Sequence, residues 1–320
     1  MLPPATYLPL RIVRGCAACR YPICTKRFTF CGTGPYFTMT FSRPEIRTAL
    51  IIGASGEAGQ SAIEAIRSRS PAARIMATTR GEQSIEGSDD TLSGISIDPN
   101  LVDQIRDSGT PALDSLDLLV YTPAMGEPGF PIQDTTEEQF EQAAQFSFYP
   151  MLELERALQP GLTVGYSAMY WLPHTLAFYG ALGYIKKAME QWCLARPESR
   201  ALVRGGTFYS KSVRGISLLL QRLMKTTRNS ELLKMKAEFD QSGLRFLDFF
   251  LQYASKREEE ALGARFSEDY RRTERSDLTR GLERILNGDG PIVSVVGNYT
   301  WTDNELPELP DYFQRFGYSE

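Results

Sequence analysis

Short apolar runs recur along this chain and are separated by longer segments in which apolar residues have helical spacing. The runs end next to glycine or polar residues, a pattern typical of strands buried on both faces of a parallel sheet. Seven strands are predicted on this basis, at 48–52, 74–79, 94–97, 116–121, 161–166, 200–204 and 291–296.

Three segments between these strands have the spacing of amphipathic helices. The first, 61–70, places Ile63 and Ile66 on one side and charged residues on the other. The second, 136–158, opens with hydroxyl and acidic residues suited to a helix N-terminus, and the third covers 176–195. Strands that alternate with helices predict a doubly wound, parallel α/β sheet of Rossmann type with helices on both faces.

The pattern changes between 212 and about 281, where it becomes helical and heavily charged. Runs of charge usually mark solvated helix faces. We therefore predict one Rossmann domain over 45–320, in which 207–281 forms a helical substrate cap.

Residues 1–44 differ in charge from the rest of the chain. They contain six basic residues and no acid, whereas the whole chain has a net charge of −4 and a pI near 5.4. The favoured interpretation is a disordered extension, or sequence upstream of a start at Met39, in a cytoplasmic protein. The alternative is a transit peptide that directs the chain to a mitochondrion or plastid.

The overall charge gives no attraction to nucleic acid, and no apolar run approaches the roughly 18 residues of a membrane span. Neither nucleic acid nor a membrane is therefore expected as a partner. Four cysteines share the basic head, but only the first two have the spacing of a zinc knuckle, so no metal site is expected. They are Cys16, Cys19, Cys24 and Cys31. Cys193 and His174, the only histidine, are interpreted as packed side chains.

A glycine-rich loop directly follows the first predicted strand and opens the first helix. It reads Gly53-Ala54-Ser55-Gly56-Glu57-Ala58-Gly59. Glycines in this place permit a tight turn and let the backbone approach a pyrophosphate, and the helix N-terminus then supplies free N–H groups. The loop predicts a dinucleotide cofactor.

The second strand ends in Thr78-Thr79-Arg80, where an NAD-binding chain has an acid for the ribose hydroxyl. An arginine can grip a 2′-phosphate through its planar fork. NADP(H) is therefore favoured over NAD(H). Asp98, after the third predicted strand, is a candidate for an adenine contact or for capping the strand end.

Candidate catalytic residues follow the fifth strand. Ser167 comes at the end of that strand, Tyr179 twelve residues later and Lys186 seven residues beyond Tyr179. In one continuous helix, seven residues are two turns, so Tyr179 and Lys186 would share a face. A tyrosine hydroxyl can donate to a developing oxyanion, and a nearby ammonium favours that chemistry.

From the first strand to about Ile216 the chain resembles the short-chain dehydrogenase/reductase superfamily. Residues 116–126 (LDLLVYTPAMG) occupy the place of its strand-four motif, but the usual Tyr-x-x-x-Lys is absent because Gly183 stands four after Tyr179. The Tyr-x6-Lys spacing resembles the enoyl-acyl-carrier-protein reductase branch instead. Two stretches agree with that branch, 146–149 after strand four and 206–216 after strand six.

The resemblance implies hydride transfer to a carbonyl or to the β-carbon of an enoyl thioester, in a homodimer or homotetramer. Tyr179 would stabilise the oxyanion, Lys186 would hold the nicotinamide ribose, and Ser167 and Ser147 would line the site. The predicted cofactor contacts are Gly53, Ser55, Gly56, Glu57, Ala58, Gly59, Thr79, Arg80, Asp98, Thr122, Pro123, Ala124, Lys186, Gly206, Thr207 and Phe208.

Other functions remain open at this point. A non-catalytic protein that senses NADP(H) and regulates partners fits the same glycine loop and the missing Tyr-x-x-x-Lys. If the protein is an enzyme, two hypotheses stand beside each other. It is a carbonyl reductase whose catalytic residues have a shifted spacing, or it is an enoyl-thioester reductase. A serine hydrolase is disfavoured, because Gly165-Tyr166-Ser167-Ala168-Met169 lacks the second glycine of a nucleophile elbow.

Overall fold

A computed structural model describes residues 39–109, 111–263 and 270–319. Most of the predicted 1–44 extension lies outside the described residues, and so do its four cysteines, which were considered as metal ligands. Ten strands occur within the described ranges: β1 (Met39–Thr40), β2 (Thr48–Ile52), β3 (Arg74–Thr78), β4 (Asp90–Leu92), β5 (Leu118–Tyr121), β6 (Leu162–Ala168), β7 (Arg200–Gly205), β8 (Asp289–Gly290), β9 (Ile292–Val296) and β10 (Tyr299–Asp303).

Ten α-helices connect these strands in the same ranges. They are α1 (Glu57–Arg69), α2 (Leu101–Asp107), α3 (Glu137–Ser147), α4 (Tyr149–Leu158), α5 (Pro173–Phe178), α6 (Ala181–Ala195), α7 (Lys211–Leu223), α8 (Ser230–Ser242), α9 (Phe246–Leu262) and α10 (Arg275–Leu286).

The main sheet has eight strands in the order β10-β9-β7-β6-β5-β2-β3-β4, and all neighbours are parallel except β9 and β10. The chain moves outward from β2 to β3 and β4, then returns to β5 on the other side. This reversal opens a crevice at the carboxyl ends of β2 and β5, where open α/β sheets bind their ligands. The predicted Rossmann-type fold is confirmed.

Helices cover both faces of the sheet, as the handedness of parallel crossovers requires. On one face α1 and α10 pack against the strands through residues such as Ile66 and Leu282. On the other face α2, α3, α4 and α6 bury a larger cluster that includes Phe140 and Trp192. Strand residues are buried from both sides, which explains their uninterrupted apolar runs.

A third apolar cluster joins α5, α7, α8 and α9 outside the sheet. Its buried members include Phe178, Leu220, Met235 and Phe250. These helices fall within or beside the predicted 207–281 cap, whereas α10 packs on the sheet beside α1.

The last residues of the chain lie against α3 and α6. Phe316 stacks on Phe140 with 4.8 Å between ring centroids. The buried ammonium of Lys187 donates to the carbonyl oxygens of Phe313 (2.6 Å) and Phe316 (3.1 Å). Burial lowers the pKa of Lys187 to about 8.

The prediction of a third strand at 94–97 is wrong, because β4 occupies Asp90–Leu92. Thr79 N donates to Leu92 O at 3.0 Å, which aligns this short strand beside β3. Gly94 then turns the chain with a φ of +72°. The apolar alternation at 94–97 therefore belongs to a connection that packs on the core.

Two predicted helices are each divided in two. The helix at 136–158 stops at Phe148, and Pro150 opens α4, where its missing N–H costs nothing. The helix at 176–195 is interrupted at Gly180, whose φ is +52°. Its N–H donates to Phe130 O at 3.0 Å instead of continuing α5.

Candidate functional site

The glycine loop connects β2 to α1 at the crevice. Gly53 has a φ of +79°, and a Cβ there would come within 2.7 Å of Thr122 Oγ1. A Cβ on Gly59 would approach Ala54 Cα and Gly53 O to 2.5 Å each. A Cβ on Gly56 would meet only Gly53 O, at 3.6 Å. The loop conformation thus requires glycine at its two outer positions, 53 and 59. At Gly56 the structure has no such steric requirement, and the backbone there is open to another molecule.

Threonines from the adjacent strands hold this loop. Gly53 N donates to Thr78 Oγ1 at 3.0 Å, from the end of β3. Thr122 Oγ1, after β5, donates to Ile52 O at 2.9 Å, with Gly53 O at 3.2 Å. Hydrogen bonds from the ends of both strands that flank β2 therefore fix the loop conformation without a ligand.

The N-terminus of α1 faces the same crevice. Among the described residues, no side chain caps this helix, whose N-cap is Gly56. Its first N–H groups are therefore available to an anion. Glu57 would oppose an anion, but its carboxylate pairs with Arg275 of α10 at 2.7 Å. This pairing offsets the negative charge next to the loop.

Arg80 lies just beyond β3 and is exposed. The preceding residue, Thr79, is buried, and its hydroxyl accepts from Gly81 N at 3.2 Å. Asp98 Oδ1 accepts from Asn100 N (2.8 Å) and Gln104 Nε2 (2.9 Å) at the start of α2. The Asp98 carboxylate therefore organises the first turn of α2, and an adenine contact by this residue stays a prediction.

Ser147 fastens the loop that follows β5. Its hydroxyl accepts from Met125 N at 2.7 Å and donates to Met125 O at 2.6 Å. This pair of bonds fixes the path of the chain just after Thr122, Pro123 and Ala124. The structure thus gives Ser147 a positioning role beside the predicted cofactor contacts.

Tyr179 and Lys186 do not share a helix. Tyr179 ends α5, and α6 begins at Ala181, so the expectation of two turns of one continuous helix is wrong. The cause is the turn at Gly180, where a side chain would collide with Glu127 O. Burial raises the pKa of Tyr179 to about 12, so its hydroxyl stays protonated at neutral pH.

Lys186 is buried in α6. Its ammonium donates to Tyr166 O in β6 at 2.7 Å and contacts Met189 Sδ at 3.7 Å. Burial lowers its pKa to about 8, while the charge of Glu190 acts in the opposite direction. Lys186 therefore remains largely charged at neutral pH and is tied to the strand that carries Ser167.

Ser167 belongs to a buried polar network at the carboxyl ends of β6 and β7. Its hydroxyl donates to Glu190 Oε1 at 2.8 Å. Arg204 Nε and Nη2 each donate to Glu190 at 2.8 Å, and Tyr170 O–H donates to Oε2 at 3.0 Å. Arg204 also pairs with Asp303 of β10. Glu190 and Arg204 are 0% and 2% exposed, so the pair is fully desolvated.

The loop after β7 is held from two sides. Gly206 N donates to Val295 O at 2.8 Å. Thr207 N donates at 2.6 Å to Glu258, a buried residue of α9 that also accepts from Tyr270 O–H at 2.6 Å. Phe208 packs against the cluster beneath α1 and α10. Burial raises the pKa of Glu258.

The structure brings one group of predicted residues into contact and places another group on separate elements. Gly53, Gly59 and Thr122 meet directly in the loop. Ser167, Lys186 and Tyr179 lie on three different elements, and the first two are held by other partners.

Sequence reasoning missed several residues that shape the site: Thr78, Glu190, Arg204 and Glu258. Two signals were present. Arg204 continues an apolar strand, and Glu190 stands one turn after Lys186 on the same helix face.

Within the described residues, no group of three His, Cys, Asp or Glu side chains could hold a metal ion. Among the described helices, none has both the length and the apolar character needed to cross a bilayer.

No protein-family model matches the chain, and no curated protein matches it in sequence. Solved structures do resemble it. A short chain dehydrogenase family protein from Francisella tularensis subsp. tularensis SCHU S4 has a TM-score of 0.50 and 14% identity, over 76% of this chain and 91% of that protein. At this identity the similarity establishes the fold, which this chain shares with a short-chain dehydrogenase.

Two further structures show lower similarity. YwfH, an NADPH-dependent reductase involved in bacilysin biosynthesis, has a TM-score of 0.45 and 13% identity, over 57% of this chain and 82% of its own. A 3-ketoacyl-(acyl-carrier-protein) reductase from Brucella melitensis, complexed with NADH, has a TM-score of 0.43 and 14% identity. That match covers 56% of this chain and 81% of the reductase.

Proposed function

We propose that this chain is an NADP(H)-dependent oxidoreductase that reduces a carbonyl or the activated double bond of an enoyl thioester. The observation that carries the proposal is the loop between β2 and α1. Its outer glycines are sterically required, its middle glycine is open, and an uncapped helix N-terminus lies behind it. Such a loop suits the pyrophosphate of a dinucleotide.

The residues around the loop fit the rest of the cofactor. Arg80 is exposed at the end of β3, where the adenosine ribose of a dinucleotide lies in this fold, and its guanidinium suits a 2′-phosphate. The chain after β5, fixed by Ser147, and the loop at Gly206 and Thr207 lie at the carboxyl edge on the other side of β2. They would border the nicotinamide.

When bound, NADPH supplies the hydride. Tyr179, whose hydroxyl is protonated at neutral pH, would donate its proton to the oxygen that becomes negative. Lys186 carries the positive charge of the site and would hold the nicotinamide ribose. Ser167 supports this arrangement from the buried network with Glu190 rather than by contact with the substrate.

The experiment is an NADPH-consumption screen with paired enoyl thioesters and ketones. One class should be turned over, and Tyr179→Phe should abolish turnover while NADPH affinity, followed by fluorescence, stays nearly unchanged. Tyr299→Phe is the matched control, because Tyr299 lies on β10, an edge strand that four other strands separate from β2 and its glycine loop. A Tyr179→Phe variant as active as the parent would exclude the assigned proton donor.

A second function is favoured by one observation. Ser167 and Lys186 are bound to Glu190 and to Tyr166 O, and neither lies on the element that carries Tyr179. A protein that binds NADP(H) without turnover and regulates a partner needs only the loop and not the catalytic group. Under this alternative, NADPH binds tightly and the whole substrate panel is inert.

A further inference from the structure

The outward face of α7 differs in charge from the rest of this acidic chain. No acid occurs between Glu198 and Glu231, and five bases lie within 211–228 of that interval. All five are exposed, and none forms an ion pair with another described residue. They are Lys211, Arg214, Arg222, Lys225 and Arg228.

The helical spacing of α7 places three of these charges on one side, whereas Lys225 and Arg228 follow the end of the helix. Lys211, Arg214, Leu218 and Arg222 follow one another at intervals of three and four residues, so they form a single stripe. The apolar inner face of α7 is already used, since Leu220 and Met224 are buried in the cap cluster. The stripe is therefore not required for packing the helix.

Leu218 lies within the basic stripe, and Leu219 lies next to it on α7. Leu218 is 55% exposed and Leu219 45% exposed, which places large apolar side chains in solvent between arginines. A cavity of about 380 Å³ opens beside Leu218, between α7 and the beginning of α9. Its lining joins two guanidinium groups to apolar side chains, among them Arg214, Arg245, Phe239, Leu244 and Phe246. Of the two arginines, Arg245 pairs with Asp248 at 2.8 Å.

Charge argues against two candidate partners that this chain itself could supply: a second copy bound symmetrically through α7, and the N-terminal segment. A second copy would present the same basic stripe, so a symmetric contact through α7 would place like charges together. The first 44 residues contain bases and no acid, so that segment would be repelled as well. The partner must be anionic and must also accept exposed leucines.

We propose that the α7 face binds the surface of a membrane rich in anionic phospholipids. A bilayer presents an anionic layer of phosphates above an apolar layer of acyl chains. The α7 face offers both kinds of contact, because basic side chains lie beside exposed leucines and a cavity lined by arginine and apolar side chains. The contact is peripheral and needs no membrane-spanning segment, so it differs from the expectation drawn above from the overall charge and the apolar runs. It is independent of the proposed oxidoreductase activity.

The test is co-sedimentation of the full chain with vesicles. The protein should pellet with vesicles that contain about 30% phosphatidylglycerol and not with pure phosphatidylcholine. Raising NaCl from about 50 to about 500 mM should weaken binding, because exposed charges are screened. Arg214→Glu with Arg222→Glu should lower the affinity roughly tenfold or more, and Leu218→Ser with Leu219→Ser should lower it severalfold.

Matched controls change an exposed leucine and an exposed base elsewhere on the cap. Leu233→Ser replaces a leucine that is 47% exposed on α8, and Lys256→Glu reverses a base that is 61% exposed on α9. Both should bind vesicles as the parent does. Circular dichroism and thermal melting check that every variant is folded. Neither measurement needs bound NADPH, so a failure of the proposed function leaves this test intact.

Three results would overturn the assignment. The first is equal binding to neutral and anionic vesicles, and the second is vesicle binding unchanged by the two arginine reversals. The third is salt-sensitive binding to polyglutamate without binding to anionic vesicles, which would identify an acidic protein as the partner instead.

Discussion

Ser167 Oγ donates a 2.8 Å hydrogen bond to Oε1 of Glu190, a carboxylate with no exposed surface. The bond joins the end of β6 to the middle of α6, and Arg204 completes the network from β7. A serine at this strand end would otherwise point toward a bound substrate. In this chain it stabilises the edge of the sheet on which the proposed site is built.

Replacing Glu190 should therefore destabilise the fold. In a Glu190→Leu variant Arg204 keeps only Asp303 as a charged partner, while Ser167 and Tyr170 lose their acceptor. Breaking a buried ion pair costs about 3–5 kcal/mol. Because Arg204 still has Asp303 as a partner, we expect the free energy of unfolding to fall by about 3 kcal/mol. Denaturation by guanidinium chloride measures the loss in the free energy of unfolding.

The control for this measurement is Glu259→Leu, which removes an exposed carboxylate of α9 and should change stability by no more than about 0.5 kcal/mol. If Glu190→Leu behaved like this control, the buried network would contribute nothing to stability.

The glycine loop offers a pair of substitutions that separate folding from binding. In Gly59→Ala the new methyl group would press against Ala54 Cα at 2.5 Å, so the loop must shift and stability should fall by about 1–3 kcal/mol. In Gly56→Ala the new methyl group meets only Gly53 O at 3.6 Å, so the melting temperature should stay near that of the parent.

If a pyrophosphate approaches Gly56 as proposed, Gly56→Ala should nonetheless weaken NADPH binding, measured by fluorescence titration. A folded Gly56→Ala protein with unchanged affinity would place the cofactor elsewhere.

Arg80 should determine the preference between the two nicotinamide cofactors. Its loss removes a charge-assisted contact with the 2′-phosphate, an interaction of about 1.5–3 kcal/mol, so NADPH should bind about 10- to 100-fold more weakly. NADH affinity should hardly change, because it has no 2′-phosphate. The two dissociation constants of Arg80→Ala provide the comparison.

Arg69→Ala is the control, since Arg69 is an exposed arginine at the far end of α1. An NADPH/NADH ratio equal in Arg80→Ala and in the parent would refute the assignment of NADP(H) through this residue.

The sheet and its crevice were predictable from sequence because buried parallel strands leave a strong local signal. The runs at 48–52 and 200–204 are apolar with few interruptions, and the glycines at 53 and 59 mark a turn that few other residues allow. The weak strand β4 was missed, since Asp90-Thr91-Leu92 has a single apolar residue and gains its place by pairing with β3.

The relation between Tyr179 and Lys186 was not predictable, because the helix break depends on a distant partner. A glycine inside a helical pattern is tolerated, so Gly180 alone does not indicate an end. The helix stops there since Phe130, fifty residues earlier, accepts its N–H. The hydrogen bond that holds Ser167 likewise depends on a residue distant in sequence, Glu190, which comes 23 residues later.

His174 should make the protein sensitive to acid. It is 1% exposed, and neither ring nitrogen has a hydrogen-bond partner among the described residues. Burial, with a smaller contribution from Arg257, lowers its pKa from 6.5 to about 3. Between these values the unfolded chain binds a proton that the folded chain does not, so stability falls as the pH decreases from 6.5 toward 3.

From pH 7 to pH 5 this single group should remove about 2 kcal/mol from the free energy of unfolding, at about 1.4 kcal/mol for each pH unit below 6.5. In His174→Leu the pH-dependent loss between these two values should be smaller by that amount, whatever the absolute stability of the variant. Urea denaturation at both pH values measures the difference. Equal losses in the parent and in His174→Leu would mean that the imidazole has the same pKa in the folded and in the unfolded protein, and would contradict its burial without a partner.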